Sequence, residues 1–204
     1  MSQQHKEDLM HIRSMMERSS RFISLSGLSG VFAGLSALIG GIYIYFRLKN
    51  LGVDYLTAEN RSYNIDLVTE FFIVALLVLF FAISFGIYFT IRKSKKNNLP
   101  IWTSSTKNLL INLAIPLVVG GVFCLSLLIH HLFAYIAPCT LLFYGLALVN
   151  AEKYTFSDIK YLGYLQIILG LIASFYLGKG LLFWIIGFGV LHILYGIILF
   201  KKYK

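Results

Sequence analysis

Six apolar runs separated by short polar stretches organise the chain. They are Phe22–Phe46, Leu67–Ile91, Leu109–Ile129, Leu132–Val149, Tyr161–Leu177 and Leu181–Phe200. A helix that crosses a hydrocarbon core needs about 20 apolar residues. The first three runs and the last reach that length. The fourth and fifth are shorter, which calls for flanking residues that snorkel or lie at the interface. None of the runs alternates apolar with polar positions, so strands are not expected. The pattern predicts an all-α polytopic membrane protein. Residues 22–200 form a single bundle of six transmembrane helices, preceded by a polar segment, 1–21, and followed by a basic tail, 201–204. The tight connections at His130–His131 and Gly178–Gly180 predict two antiparallel hairpins, of helices 3 and 4 and of helices 5 and 6. Residues 3–20 place Leu9, Ile12 and Met16 on one face opposite charges of both signs. This reads as an amphipathic helix that extends helix 1 into the cytoplasm or docks on the bundle or on a protein partner.

Composition sharpens the class. Hydrophobic residues make up 58% and charged residues 13%, against about 45–50% and about 25% in soluble domains. Mean hydropathy is +0.76. These values exclude an ordinary cytosolic enzyme, a disordered chain and a disulfide scaffold. The net charge of +9 reports topology and contact with anionic lipid rather than nucleic acid, because no basic cluster with interleaved aromatics stands outside the apolar runs. With the N-terminus inside, 14 of the 18 Lys and Arg residues fall on the inner pieces and four on the outer loops. That asymmetry predicts cytoplasmic N- and C-termini. The tract Arg92, Lys93, Lys95, Lys96 is the clearest inner marker and is expected to face the lipid headgroups. Tyr43, Tyr45 and Trp184 then form an outer aromatic belt, and Tyr88, Trp102, Tyr161, Tyr164 and Tyr203 an inner one.

Several constellations carry candidate chemistry. In helix 1, Gly27, Gly30, Gly34, Ala37 and Gly41 are spaced three, four, three and four, a small-residue seam that lets another backbone approach closely. Helix 5 repeats the spacing with Gly163, Gln166, Gly170 and Ala173, and helix 6 with Gly189, His192 and Gly196. Gln166 and His192 are expected to hydrogen-bond as packing glue, or alternatively to line a proton or solute path. Glu70 is the acidic residue well inside an apolar run. It reads as a carboxylate paired at the outer interface with Arg47, or as a coupling site. Glu70, Gln166 and His192 together form the candidate intramembrane polar site. His130 and His131, even with Glu70, make at most a weak metal site. No catalytic, cofactor or metal set is complete, and no cofactor is expected. Cys124 and Cys139 read as packing residues. Pro116 and Pro138 are candidate kinks. Thr155 to Asp158 fits a capping box before helix 5. Asn60-Arg61-Ser62 matches a glycosylation acceptor that has no meaning in a bacterium.

Two resemblances add to this. Gly27-Leu28-Ser29-Gly30 followed by Gly34 resembles the serine-bearing helix of rhomboid intramembrane proteases, which implies Ser29 as nucleophile and His192 as base. The similarity covers about eight residues of one helix, and the Ser helix comes first in the chain rather than fourth. Over the whole length, the stretches Met16–Gly30, Lys153–Gly163 and Phe183–Gly196 resemble six-helix inner-membrane proteins of Bacteroidota-type bacteria. That group carries no assigned activity, so the resemblance implies a bacterial inner membrane and transfers no catalytic residue. The leading expectation is a non-catalytic accessory or regulatory membrane subunit, with self-association or a protein partner engaged through its transmembrane helices and residues 3–20. The alternatives are a small transporter or channel using Glu70, Gln166 and His192, and a serine hydrolase using Ser29 and His192.

Overall fold

The computed structural model describes residues 22, 26–52 and 64–203. The amphipathic reading of residues 3–20 and the acceptor at Asn60–Ser62 lie outside the described residues. The described chain is helical, with no strand. Five helices precede a composite last span. They are α1 (Gly27–Asn50), α2 (Ile65–Lys96), α3 (Ser104–Ile129), α4 (Ile136–Ala151) and α5 (Ile159–Phe175). The last span consists of α6 (Gly180–Trp184), a π-helical segment (Ile185–Leu191) and α7 (His192–Lys202). Five spans are long and apolar enough to cross a membrane; α5, at 17 residues, is shorter. This is the architecture of a helical membrane protein.

Helix ends depart from the apolar runs where side chains find local partners. Helix 1 does not begin at Phe22. Phe22 is buried outside the helix, its N–H donating to Tyr154 O at 2.7 Å and its O accepting from Thr155 Oγ1 at 2.8 Å. Helix 3 begins five residues before its apolar run because Thr103 and Thr106 form a reciprocal cap, with Thr106 N–H to Thr103 Oγ1 at 3.2 Å and Thr103 N–H to Thr106 Oγ1 at 3.4 Å. The expected capping box before helix 5 is absent. Thr155 is drawn to Phe22, and Asp158 makes no cap bond. Lys201 and Lys202 belong to α7 rather than to a free tail. Pro138 sits in the first turn of α4, where its missing N–H costs no helical bond.

The helices form an open row. α2 packs on α1, α1 on the last span, the last span on α4 with α5 beside it, and α3 on α4. Glycines set these contacts. A Cβ on Gly34 would stand 2.7 Å from Gly189 O and 2.9 Å from Ile193 N, and one on Gly196 would stand 2.6 Å from Gly27 O. Between α4 and α5 the approach is reciprocal: Gly145 lies against Gly163 O at 2.7 Å and Gly163 against Gly145 O at 2.9 Å. Lipid tails supply no hydrophobic drive between helices, so close backbone contact and dispersion hold such pairs together. The hairpin expectation for helices 5 and 6 is therefore corrected. The main partner of α5 is α4, and the last span lies chiefly on α1. The helix 5 glycines face α4, and Gly189 and Gly196 face α1, so the glycines of the two seams do not meet; the seams touch only through Gln166 and His192.

One end of the bundle is knitted around the turn between α4 and α5. Besides Phe22, it engages the C-terminal residues. Lys202 Nζ donates to Asp158 Oδ2 at 2.8 Å, Tyr203 OH donates to the same oxygen at 2.9 Å, and the Tyr203 ring stacks on Phe156 at 4.1 Å. Lys93 joins from α2, donating to Tyr203 O at 3.1 Å with its Nζ 5.4 Å from the Phe156 ring centre. The basic tract is thus corrected in part. Arg92, Lys95 and Lys96 are exposed, whereas Lys93 turns into this junction.

Burial works to raise the Asp158 carboxyl, but the bonds from Lys202 and Tyr203 outweigh it and hold the group below its ordinary value. A folded-state pKa that is depressed stabilises the folded chain above the unfolded pKa, about 3.9 for aspartate. That stabilisation disappears as pH falls through the lower folded value. Asp158→Asn is expected to lower the melting temperature at pH 7 and to leave the two proteins closer together at pH 3. Thermal melts in detergent at both pH values measure this; a difference that persists undiminished at pH 3 counts against the clamp.

Candidate functional site

Two buried polar side chains, Gln166 and His192, converge where α4, α5 and the last span meet. His192 is the centre. Its Nδ1 lies 2.9 Å from Gly187 O, and its Nε2 lies 2.8 Å from Tyr144 OH. A carbonyl only accepts, so Nδ1 carries the proton, and Nε2 then accepts from the Tyr144 hydroxyl. Gln166, fully buried, donates from Nε2 to the same Gly187 O at 2.8 Å. Gln166 Nε2 and His192 Nδ1 stand 3.4 Å apart. Both are donors here, so they share an acceptor instead of bonding each other. This replaces the direct Gln166–His192 bond expected from the sequence.

Backbone winding makes the site. Gly187 and Gly189 lie in the π segment, which uses i to i+5 turns and is rare outside functional or strained places. A Cβ on Gly187 would stand 2.6 Å from Gln166 Oε1. Only glycine leaves room there for the amide to reach the carbonyl. Aromatic rings close the sides: Phe188 stacks on His192 with centres 5.8 Å apart, and Tyr144 lies 5.2 Å from it. Of the three buried side-chain polar atoms without a partner among the described residues, two lie here, Gln166 Oε1 and Tyr195 OH, the latter one turn beyond His192; the third is Ser94 Oγ on α2. Tyr144 and Gly187 were not singled out by the sequence. Tyr144 carries no spacing signal, and Gly187 is masked by the packing glycines around it.

The other candidates lie elsewhere. Glu70 is bound on α2 by two residues of α1: Tyr43 OH donates to Oε1 at 2.6 Å, and Arg47 Nε lies 3.0 Å from Oε1 and 3.2 Å from Oε2. It shares no partner with Gln166 or His192, so the three-residue polar site divides into an exposed ion pair and a buried node. Ser29 is buried, and its hydroxyl donates to Ser26 O in its own chain turn. Gly30, next to it, faces the His192 carbonyl oxygen, with 3.4 Å from a Cβ position. The imidazole bonds toward α4 and along its own span, so the structure does not bring Ser29 and the His192 ring together. The seam residues Gly27, Gly30, Gly34 and Gly41 all lie against the last span, with Ala37 buried among them. Gly40, outside the seam, packs on Val74 and Val78 of α2. Among the described residues, no group of three or more His, Cys, Asp or Glu is placed to hold a metal ion. No known protein family, curated protein or solved structure matches the chain.

Proposed function

We propose a non-catalytic accessory subunit of a bacterial inner membrane, with six spans and both termini cytoplasmic, that holds a protein partner at its inner end. The observation that carries this reading is the knitted junction at the α4–α5 turn. Phe22, Lys93, Lys202 and Tyr203 all bond to or stack on residues 154–158. Phe22 is therefore held on this junction rather than in α1. The Lys and Arg asymmetry of the sequence supports a cytoplasmic position for this junction, and the whole-length resemblance favours a bacterial inner membrane. Both nitrogens of His192 are engaged and Ser29 bonds its own backbone, which favours a packing role for these groups over a nucleophile–base pair.

The test compares tagged full-length protein with a chain lacking residues 1–20, both solubilised in mild detergent and analysed by mass spectrometry. A protein recovered with the first and lost with the second is expected. Recovery of the chain alone from both would remove the reading. A second reading, a path for protons or a small polar solute, draws on the unpartnered Gln166 Oε1 and Tyr195 OH. Proton flux into liposomes that is lost in Tyr195→Phe would favour it, and absence of flux in the native protein would dismiss it.

A further inference from the structure

Two helix ends that are far apart in sequence meet beside the α4–α5 turn, and both are basic. Lys93 on α2 donates from Nζ to Tyr203 O at 3.1 Å, just past the end of α7. That bond sets the end of α2, with Arg92, Lys95 and Lys96, next to the end of α7, with Lys201 and Lys202. The carboxylate that reaches this group is Asp158, and Lys202 matches it at 2.8 Å. The turn itself adds Glu152 against Lys153 and Lys160, so it does not cancel the excess. Arg92, Lys95, Lys96 and Lys201 are exposed, and among the described residues no carboxylate pairs with them. Beneath these charges each helix exposes an apolar stripe. On α2, Tyr88 lies one turn before Arg92 and two before Lys96. On α7, Leu194 and Ile198 lead to Lys201 at the same spacing, with Ile197 exposed beside them. Both helices pack on α1.

We propose that the joined ends of α2 and α7 bind one anionic phospholipid, with its phosphate among Arg92, Lys95, Lys96 and Lys201 and its acyl chains on the exposed apolar surface beneath. The class of ligand follows from the two layers of the site. Unmatched cations at the ends of membrane helices attract an anionic headgroup. Exposed hydrocarbon directly below them is covered by acyl chains. A free phosphate or an acidic protein would use the charges and leave the apolar stripes unserved, whereas an anionic lipid satisfies both. Lys93 is spent on Tyr203 and Phe156, so its part is to hold the two ends together. A lipid seated there adds a second link between α2 and the last span.

The experiment titrates the full chain, purified in mild detergent, with dioleoylphosphatidylglycerol or dioleoylphosphatidylcholine and reads bound lipid by native mass spectrometry. The two lipids share their acyl chains and differ in net charge. One phosphatidylglycerol per chain is expected to bind at concentrations where phosphatidylcholine does not. Arg92→Gln, Lys96→Gln and Lys201→Gln are each expected to weaken it about fivefold, the share of one basic residue at a membrane surface. These side chains are exposed, and size exclusion confirms that each variant stays folded. Lys49→Gln and Lys179→Gln, exposed at the opposite end of the bundle, are expected to bind as the native chain does. Equal binding of the two lipids overturns the proposal, as does equal weakening by the changes at the opposite end. Displacement of phosphatidylglycerol by inorganic phosphate or by polyglutamate also overturns it, in favour of a phosphate site or an acidic protein partner.

Discussion

Gly34→Val is expected to lower the melting temperature by about 6–12 °C, while Gly121→Val leaves it nearly unchanged. Both positions are glycines inside apolar helices, and both gain the same side chain. They differ in what the new Cβ meets. At Gly34 it meets backbone, Gly189 O at 2.7 Å and Ile193 N at 2.9 Å. Backbone atoms of a packed helix do not yield as a side-chain tip does, so α1 and the last span must separate. Overpacking of this kind costs about 1–3 kcal/mol, with the upper end apt here because two rigid helices are forced apart. At Gly121 nothing lies within 4 Å, and the valine faces lipid. About 3 kcal/mol corresponds to the stated shift for a chain of this size. Fluorescence-detected size exclusion after heating measures both variants together. Equal shifts would show that glycine content, rather than the α1–last span contact, sets stability.

The second large effect is expected at the polar node. His192→Leu leaves the Tyr144 hydroxyl without its acceptor and Gly187 O with one donor instead of two. A buried group left unpaired costs about 1–3 kcal/mol. Truncation alone also removes the ring stacked on Phe188, so the hydrogen-bond share needs a double-mutant cycle. Tyr144→Phe deletes only the hydroxyl. Combined with His192→Leu it should cost less than the sum of the two single changes. The difference is expected near 0.6–1.7 kcal/mol, the range of about one hydrogen bond between membrane helices. Unfolding titrations in mixed micelles give the four free energies. Strict additivity would mean that the hydroxyl and the imidazole do not act on each other.

What the sequence revealed divides along a physical line. The spans and the glycine seam were legible because lipid imposes them. Long apolar runs have no other reading at this density, and Gly27, Gly30, Gly34 and Gly41 share a face through helix geometry alone. The partner of the seam was not legible. Gly163 and Gly189 show the same spacing, and only packing decides which glycines meet. Helix ends were lost for the same reason. Thr155 has the local pattern of a cap, but its hydroxyl goes to Phe22, 133 residues away, and no local rule anticipates a distant competitor. At the polar node, His192 and Gln166 stood out because polar groups at membrane depth need partners. The acceptor they share is a backbone carbonyl of Gly187, which has no side chain to signal it.

The seam on α1 also dictates an order of assembly. Its partner is the final span, so Gly34 waits for Gly189, 155 positions later in the chain. At about 5–20 residues per second of synthesis, that wait lasts roughly 8–30 s. α2 can settle on α1 and α3 on α4 meanwhile, because each of those pairs is consecutive. The glycine face of α1 lacks its partner until the span carrying Gly189 and Gly196 has been made. A nascent chain that stops short of that span keeps this close-packing face uncovered.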